Sequence, residues 1–173
     1  GASGFTGRLV AEYLAERGIQ RWAMAGRSTA KLAEVRDLVR AANVPLIEAD
    51  ASNSASLKAM CERARIVLTT VGPYQLYGSE LLAECAASGT DYLDLNGEPA
   101  WAKRMIDTHE EAAKKSGARI VLSAGFDSIP FDLGVWFLQK KAVEKLGAPA
   151  PRVKGRVRKM RGWASGGTMA SMK

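Results

Sequence analysis

The sequence predicts an α/β protein: a doubly wound parallel sheet with helices on both faces. Two observations carry this reading. A glycine turn, Gly1-Ala2-Ser3-Gly4-Phe5-Thr6-Gly7, runs straight into an amphipathic segment. Behind it, short apolar runs alternate with helical patterns to about residue 146. Such alternation produces βαβ units and therefore parallel strands.

The elements follow in order. After the turn, Leu9, Val10, Tyr13 and Leu14 share one helical face, and Arg17-Gly18 ends the helix with a basic residue and a C′ glycine. Ile19–Ala25 reads as a strand, Lys31–Ala42 as a helix with Leu32, Val35, Leu38 and Val39 on one face, and Val44–Glu48 as a strand. Ser54–Arg63 (helix), Arg65–Val71 (strand), Ser79–Ser88 (helix closed by Gly89) and Tyr92–Leu95 (strand) continue the pattern. Pro99–Ser116 is a long helix with Pro in its first turn, followed by a strand at Arg119–Ser123 and a helix at Pro130–Leu146. In this architecture ligands collect beyond the C-terminal ends of the strands. The informative loops are thus Ala49-Asp50, Val71-Gly72-Pro73-Tyr74, Asn96-Gly97-Glu98 and Ala124-Gly125-Phe126-Asp127.

The glycine turn suits a dinucleotide pyrophosphate. Gly1 allows a tight reversal, Gly4 lets backbone N–H groups approach the phosphates, and Gly7 lets the helix pack closely on the sheet. The helix behind the turn offers unpaired N–H donors and a positive dipole end. The spacing is G-x-x-G-x-x-G rather than G-x-G-x-x-G, and a plain tight connection is the alternative. A turn of this kind normally follows a buried strand. None precedes Gly1, so a Rossmann-type sheet lacking its first strand is expected.

Twenty residues on, the strand ends in Gly26-Arg27-Ser28, with Lys31 just beyond. An NAD-preferring site carries Asp or Glu there for the ribose 2′-hydroxyl. A guanidinium and a hydroxyl instead suit a 2′-phosphate, which predicts NADP(H); a solvated Arg at a helix start is the bland alternative.

Composition narrows the function classes. With 47% hydrophobic residues in 173, the chain can build one sizeable core. Cys61 and Cys85 fall on apolar helix positions and give neither a disulfide framework nor a CxxC pair, as in an intracellular, cytoplasmic protein. His109 is the only histidine, which argues against a His-based metal site or a Ser-His-Asp triad; no metal is expected. The net charge of +7 comes wholly from residues 151–173, which carry seven Lys or Arg and no acid. There Arg152, Lys154, Arg156 and Arg158 alternate with Val153, Gly155 and Val157 at strand period. Only Trp163 accompanies them, so no nucleic-acid partner is expected. The stretch Gly147-Ala148-Pro149-Ala150-Pro151 reads as a linker. Residues 1–147 are expected to form the dinucleotide-binding domain, and 148–173 the linker and start of a truncated α+β second domain.

Several motifs recur together: GASGFTG at 1–7, AGRS at 25–28, TVGPY at 70–74, GTDYLD at 89–94, NGE at 96–98, GFDSIPFDLG at 125–134 and SGGT at 165–168. In this order they resemble the saccharopine dehydrogenase-like oxidoreductases, which include trans-acting enoyl reductases of lipid biosynthesis. Two positions depart from the pattern: Ala124 stands where relatives often have Cys, and Phe131 where a small residue is usual. The resemblance implies an NADP-binding Rossmann domain and a C-terminal domain that closes the cleft. It places the pyrophosphate on Gly1, Ser3, Gly4, Phe5, Thr6 and Gly7, and the adenosine phosphate near Arg27 and Ser28. Asp50 would accept from the adenine amino group, and Val71, Gly72 and Pro73 would pass beside the nicotinamide ribose.

The proton donor stays open between Tyr74, Asp127 and a bound water. Asp94 and Glu98 read either as cleft carboxylates or as capping and ion-pair groups. Asp127-Ser128 read either as substrate contacts or as caps of the following helix. The resemblance implies an NADPH-linked reductase of a lipid enoyl group or another small molecule, a homo-oligomer in full-length form, and room for peripheral membrane association. A saccharopine-type amino-acid reductase and a non-catalytic dinucleotide-binding regulatory domain are the alternatives.

Overall fold

The computed structural model describes residues 1–159, 161, 166 and 169. Helix α1 (Phe5–Glu16) is followed by β1 (Met24–Gly26), α2 (Thr29–Leu38), β2 (Leu46–Glu48), α3 (Ser54–Cys61) and β3 (Ile66–Leu68). Then come α4 (Tyr74–Tyr77), α5 (Ser79–Ser88), β4 (Asp91–Leu93), α6 (Pro99–Ser116), β5 (Ile120–Val121) and α7 (Ile129–Leu146). All strand pairings are parallel, as the βα alternation predicts.

The strands form two sheets. β1 pairs with β2 in the register Met24↔Leu46, and β3, β4 and β5 pair in that order with Ile66↔Asp91 and Tyr92↔Ile120. Between the facing edges of β1 and β3 lies a cleft of about 1190 Å³, lined by residues that include Met24, Ala25, Ile66, Val67 and Leu68. Ile66 and Leu68 are 53% and 51% exposed, unusual for parallel strands, which are normally covered on both faces.

The helices begin and end where local chemistry directs. Ser28 accepts from the Lys31 N–H at 3.3 Å to cap α2, and Asn53 accepts from the Ser56 N–H at 3.1 Å to cap α3. Gly89 and Gly117 close α5 and α6 in the left-handed region, where a Cβ would be strained. Two buried clusters result. Ala11, Leu32 and Val35 of α1 and α2 pack with Met24, while Leu57, Cys61, Leu82, Cys85, Tyr92 and Trp101 join α3, α5 and α6 to β4.

Several boundaries need correction. The strand expected at Ile19–Ala25 pairs only from Met24, where the Met24 N–H reaches the Pro45 carbonyl at 3.0 Å. The helix expected at Lys31–Ala42 runs from Thr29 to Leu38 and ends in a turn at Arg40, whose φ is +54°. The expected strand at residues 152–158 is absent: 152–159 form neither helix nor strand, because strand-period side chains do not make a ladder without a partner backbone. Helix α7 also departs from expectation. Only Ala142 on it is buried, while Leu133, Trp136 and Phe137 lie more than half exposed, so it does not cover the sheet as the other helices do. Trp163 and all of Ser165–Thr168 except Gly166 lie outside the described residues.

Candidate functional site

The glycine turn sits between the C-terminal ends of β1 and β3. The Gly1 amine and the Ala2 N–H both donate to the Ala25 carbonyl, at 3.1 and 3.2 Å. The Gly1 carbonyl accepts from the Gly4 N–H at 3.0 Å and from the Thr70 hydroxyl at 3.3 Å. One residue thus ties the ends of two sheets together.

The glycines divide the work differently from the sequence expectation. A Cβ on Gly1 would lie 2.7 Å from Thr70 Oγ1 and 2.9 Å from Val71 Cγ2, so this glycine allows close approach to the end of β3. A Cβ on Gly7 would lie 2.2 Å from the Gly1 carbonyl oxygen, so it is the turn's own backbone, rather than the sheet, that crowds this position. A Cβ on Gly4 would meet only the Gly1 oxygen, at 3.3 Å, and its other side is open. Gly4 also begins α1 in extended backbone, with no side-chain cap and no acid in the first turn. The exposed Phe5 and half-buried Thr6 follow, and the N-terminal donors of α1 rise from that open face. Sequence reasoning passed over Arg8, whose Nε donates to the Ser3 carbonyl at 3.2 Å and folds a cation back onto the turn. Its position one helical turn after Gly4 was the available signal.

Arg27 lies exposed just beyond β1. Its charge reaches Asp50. The Asp50 carboxyl is held below its ordinary value by the Ser52 N–H and hydroxyl, with Arg27 adding to them. Arg27 and Asp50 thus stand within electrostatic range of each other. Asp50 Oδ1 accepts from the Ser52 N–H at 3.0 Å and its hydroxyl at 2.8 Å. Ser28 spends a lone pair on the α2 cap, leaving its hydroxyl proton to donate. Glu48 ends β2 in register with Gly26, and its Oε2 lies 3.5 Å from the Thr29 hydroxyl.

On the other side of the turn, Val71, Gly72 and Pro73 are half-buried, and the Gly72–Pro73 peptide is cis. Tyr74, 4% exposed, donates its hydroxyl to the Thr69 carbonyl at 3.1 Å and accepts from the Leu95 N–H at 3.4 Å. Burial pushes this phenol up to about 12, with Asp94 and Glu98 adding to the rise. A buried, committed phenol of this kind holds loops in place. Asp127, the other proton-donor candidate, is exposed beyond β5. Ser128 starts α7 without a side-chain cap; backbone bonds to the Gly125 carbonyl, at 3.2 Å from Ser128 and 3.0 Å from Ile129, shape this helix start instead.

The two carboxylates read ambiguously from the sequence are both engaged by hydrogen-bond donors. Asp94, 2% exposed, accepts from the Tyr92 hydroxyl at 2.9 Å, the Ser123 N–H at 2.8 Å and Asn96 Nδ2 at 2.7 Å. Glu98 accepts from the Tyr74 N–H at 2.8 Å and the Gln75 N–H at 2.7 Å. Among the described residues no cluster of three metal-ligating side chains occurs.

The saccharopine dehydrogenase NADP binding domain family matches residues 1–121, well over half of the chain. The chain belongs to this family. A Mycobacterium tuberculosis protein assigned as a trans-acting enoyl reductase is 48% identical over 175 residues, covering 99% of this chain and 42% of that protein. The trans-acting enoyl reductase of Mycobacterium leprae is 50% identical over 147 residues, 83% of this chain and 35% of that one. The chain thus spans less than half the length of these relatives. The saccharopine dehydrogenase (L-Glu forming) of Saccharomyces cerevisiae shares the fold, with a TM-score of 0.64 at 17% identity over 84% of this chain and 30% of its own. NADP(H) is the cofactor that the family implies. The residues fit it: the turn keeps one glycine face open, the helix behind it is uncapped, and exposed Arg27 stands where an acid would repel a 2′-phosphate.

Proposed function

We propose that this chain is the cofactor-binding part of an NADPH-dependent oxidoreductase that reduces an enoyl group of a lipid; its mycobacterial relatives are named trans-acting enoyl reductases. The observation that carries the cofactor arrangement is the position of Gly1, bonded to the ends of both β1 and β3 while the Gly4 face and the α1 N-terminus stay open. A pyrophosphate laid there meets main-chain N–H groups and a positive helix end. Ser3, Gly4, Phe5, Thr6 and Gly7 line that seat, with Arg8 bracing it from Ser3.

Arg27 and Ser28 take the adenosine 2′-phosphate, Asp50 the adenine amino group, and Val71, Gly72 and Pro73 the nicotinamide ribose. The bound cofactor supplies the hydride; the protein supplies orientation and the surrounding charge. The proton comes from Asp127 or a bound water, because Tyr74 Oη is already held by Thr69 and Leu95. No helix among the described residues is long and apolar enough to cross a membrane. A lipid substrate is compatible with peripheral membrane association, and the full-length form is read as a homo-oligomer with residues 148–173 leading into a second domain.

Comparative titration of NADPH and NADH, on wild type and Arg27→Ala, tests this reading. A charge-assisted contact to the 2′-phosphate corresponds to roughly ten- to hundredfold tighter NADPH binding. Arg27→Ala should erase most of that preference and leave NADH affinity unchanged. Equal binding of both cofactors by the wild type would remove Arg27 from the site.

A further inference from the structure

Helix α4 starts at an awkward place. Its N-cap position is Pro73, which has no side-chain acceptor, yet the Tyr74 and Gln75 N–H groups behind it need partners. Neither partner comes from the helix or from the 71–73 turn. Both are oxygens of Glu98, twenty-four residues away in the loop after β4 and 8% exposed.

Glu98 is itself held. Its N–H donates to Asn96 Oδ1 at 3.1 Å, and Asn96 Nδ2 donates to Asp94 Oδ1 at 2.7 Å. The same Asp94 oxygen accepts from the Ser123 N–H at 2.8 Å, at the end of β5. A continuous line of buried and part-buried hydrogen bonds therefore runs from the end of β5 through Asp94, Asn96 and Glu98 to the first turn of α4. Tyr74 closes the line from the opposite side: its hydroxyl bonds Thr69 and Leu95, and its ring lies 5.6 Å from that of Trp101.

We infer that Glu98 is a positioning residue for the nicotinamide side of the site, clamping the Val71-Gly72-Pro73 turn through the two N–H groups that follow it. The clamp acts on one half of the site only. The adenosine side is built by Arg27, Ser28 and Asp50 at the ends of β1 and β2, and among the described residues no hydrogen bond of the Glu98 line runs to it. A carboxylate is required because both oxygens are used as acceptors. An amide offers one acceptor and turns its NH₂ toward the second N–H.

The inference rests on the cofactor arrangement proposed above, and one experiment separates the two. Wild type and Glu98→Gln are titrated with NADPH and with adenosine 2′,5′-bisphosphate, which occupies the adenosine side alone. Thermal melting followed by circular dichroism reports folding. Loss of one bond and of the charge behind the other should weaken NADPH binding by about tenfold or more, with bisphosphate affinity unchanged within twofold. Loss of both ligands in parallel would make Glu98 a general fold residue and overturn the clamp, as would unchanged NADPH affinity. A wild type that binds neither ligand overturns the cofactor arrangement and the clamp together. If Glu98→Gln melts early, Gln75→Pro removes one of the two N–H donors with Glu98 intact; the same split between the ligands supports the clamp, and no split overturns it.

Discussion

At the scale of single residues, Gly4 and Gly7 look alike in the sequence and differ in the structure. A side chain on Gly4 meets one oxygen at 3.3 Å, whereas a Cβ on Gly7 drives into turn backbone at 2.2 Å. Gly4→Val should therefore melt near wild type while losing dinucleotide affinity, because its side chain occupies the open face. Gly7→Ala should lower the melting temperature, because backbone cannot swing aside as a flexible side chain does. Paired melting and titration of the two variants checks this, and the reverse pattern would show that the phosphates lie elsewhere. Asp91 supplies a second prediction. The Arg119 side chain and backbone N–H, then the charges of Arg119 and Arg65, hold its carboxyl down to about 2 despite burial. A folded-state value below the unfolded one, about 3.9, means stabilisation that is complete above pH ~4 and lost as pH falls through about 2. Denaturant unfolding at pH 7 and pH 2.5 should show Asp91→Asn clearly less stable at pH 7, with the gap narrowing at pH 2.5. A gap independent of pH would mean that the Arg119 bond works through shape rather than charge.

At the scale of elements, helices were easier to read than strands. The apolar period of α2 and α3 and the caps at Ser28 and Asn53 are written locally, so these helices appear where expected, give or take a few residues at their ends. A strand is finished only by its neighbour. β1 has one partner, and that partner's Pro45 lacks an N–H, so pairing begins at Met24 although apolar character starts earlier. The basic run at 152–158 shows the same rule at its limit: period-two patterning without an adjacent edge yields no strand. Helix α4 was illegible for another reason. Four residues are too few for a periodicity, and its cap comes from Glu98 in a distant loop. The glycine turn and the Arg27-Ser28 strand end stand out in the sequence because their pattern is local. The Asp94–Asn96–Glu98 line was legible only as a cluster of polar residues, since its purpose depends on β5 and α4 arriving beside it.

At the scale of the whole molecule, two half-structures meet at Gly1. The α1–α2 cluster packs on β1 and β2, the α3–α5–α6 cluster packs on β3 to β5 and also takes in Ala25 of β1 and Ile47 of β2, and the facing edges of β1 and β3 leave the cleft of about 1190 Å³ between them. Both edges run in the same direction, and the Gly1 amine and carbonyl bond to the ends of both. An extended segment joined to Gly1 and running parallel to β1 and β3 would pair with both edges at once and cover Ile66 and Leu68. We therefore expect that a five-residue Val/Ile-rich extension on Gly1 stabilises the fold, whereas a Gly/Ser extension of equal length does not. Burial of two or three apolar side chains, partly offset by ordering the added backbone, corresponds to a rise of about 5 °C in melting temperature. Binding of a fluorescent apolar dye should fall in the same variant, because the covered surface is what the dye would occupy. Equal melting temperatures for the two extensions would show that the cleft does not take a strand, and that the Gly1 bonds and the packing of Ala25 and Ile47 on the α3–α5–α6 cluster hold the two sheets in place.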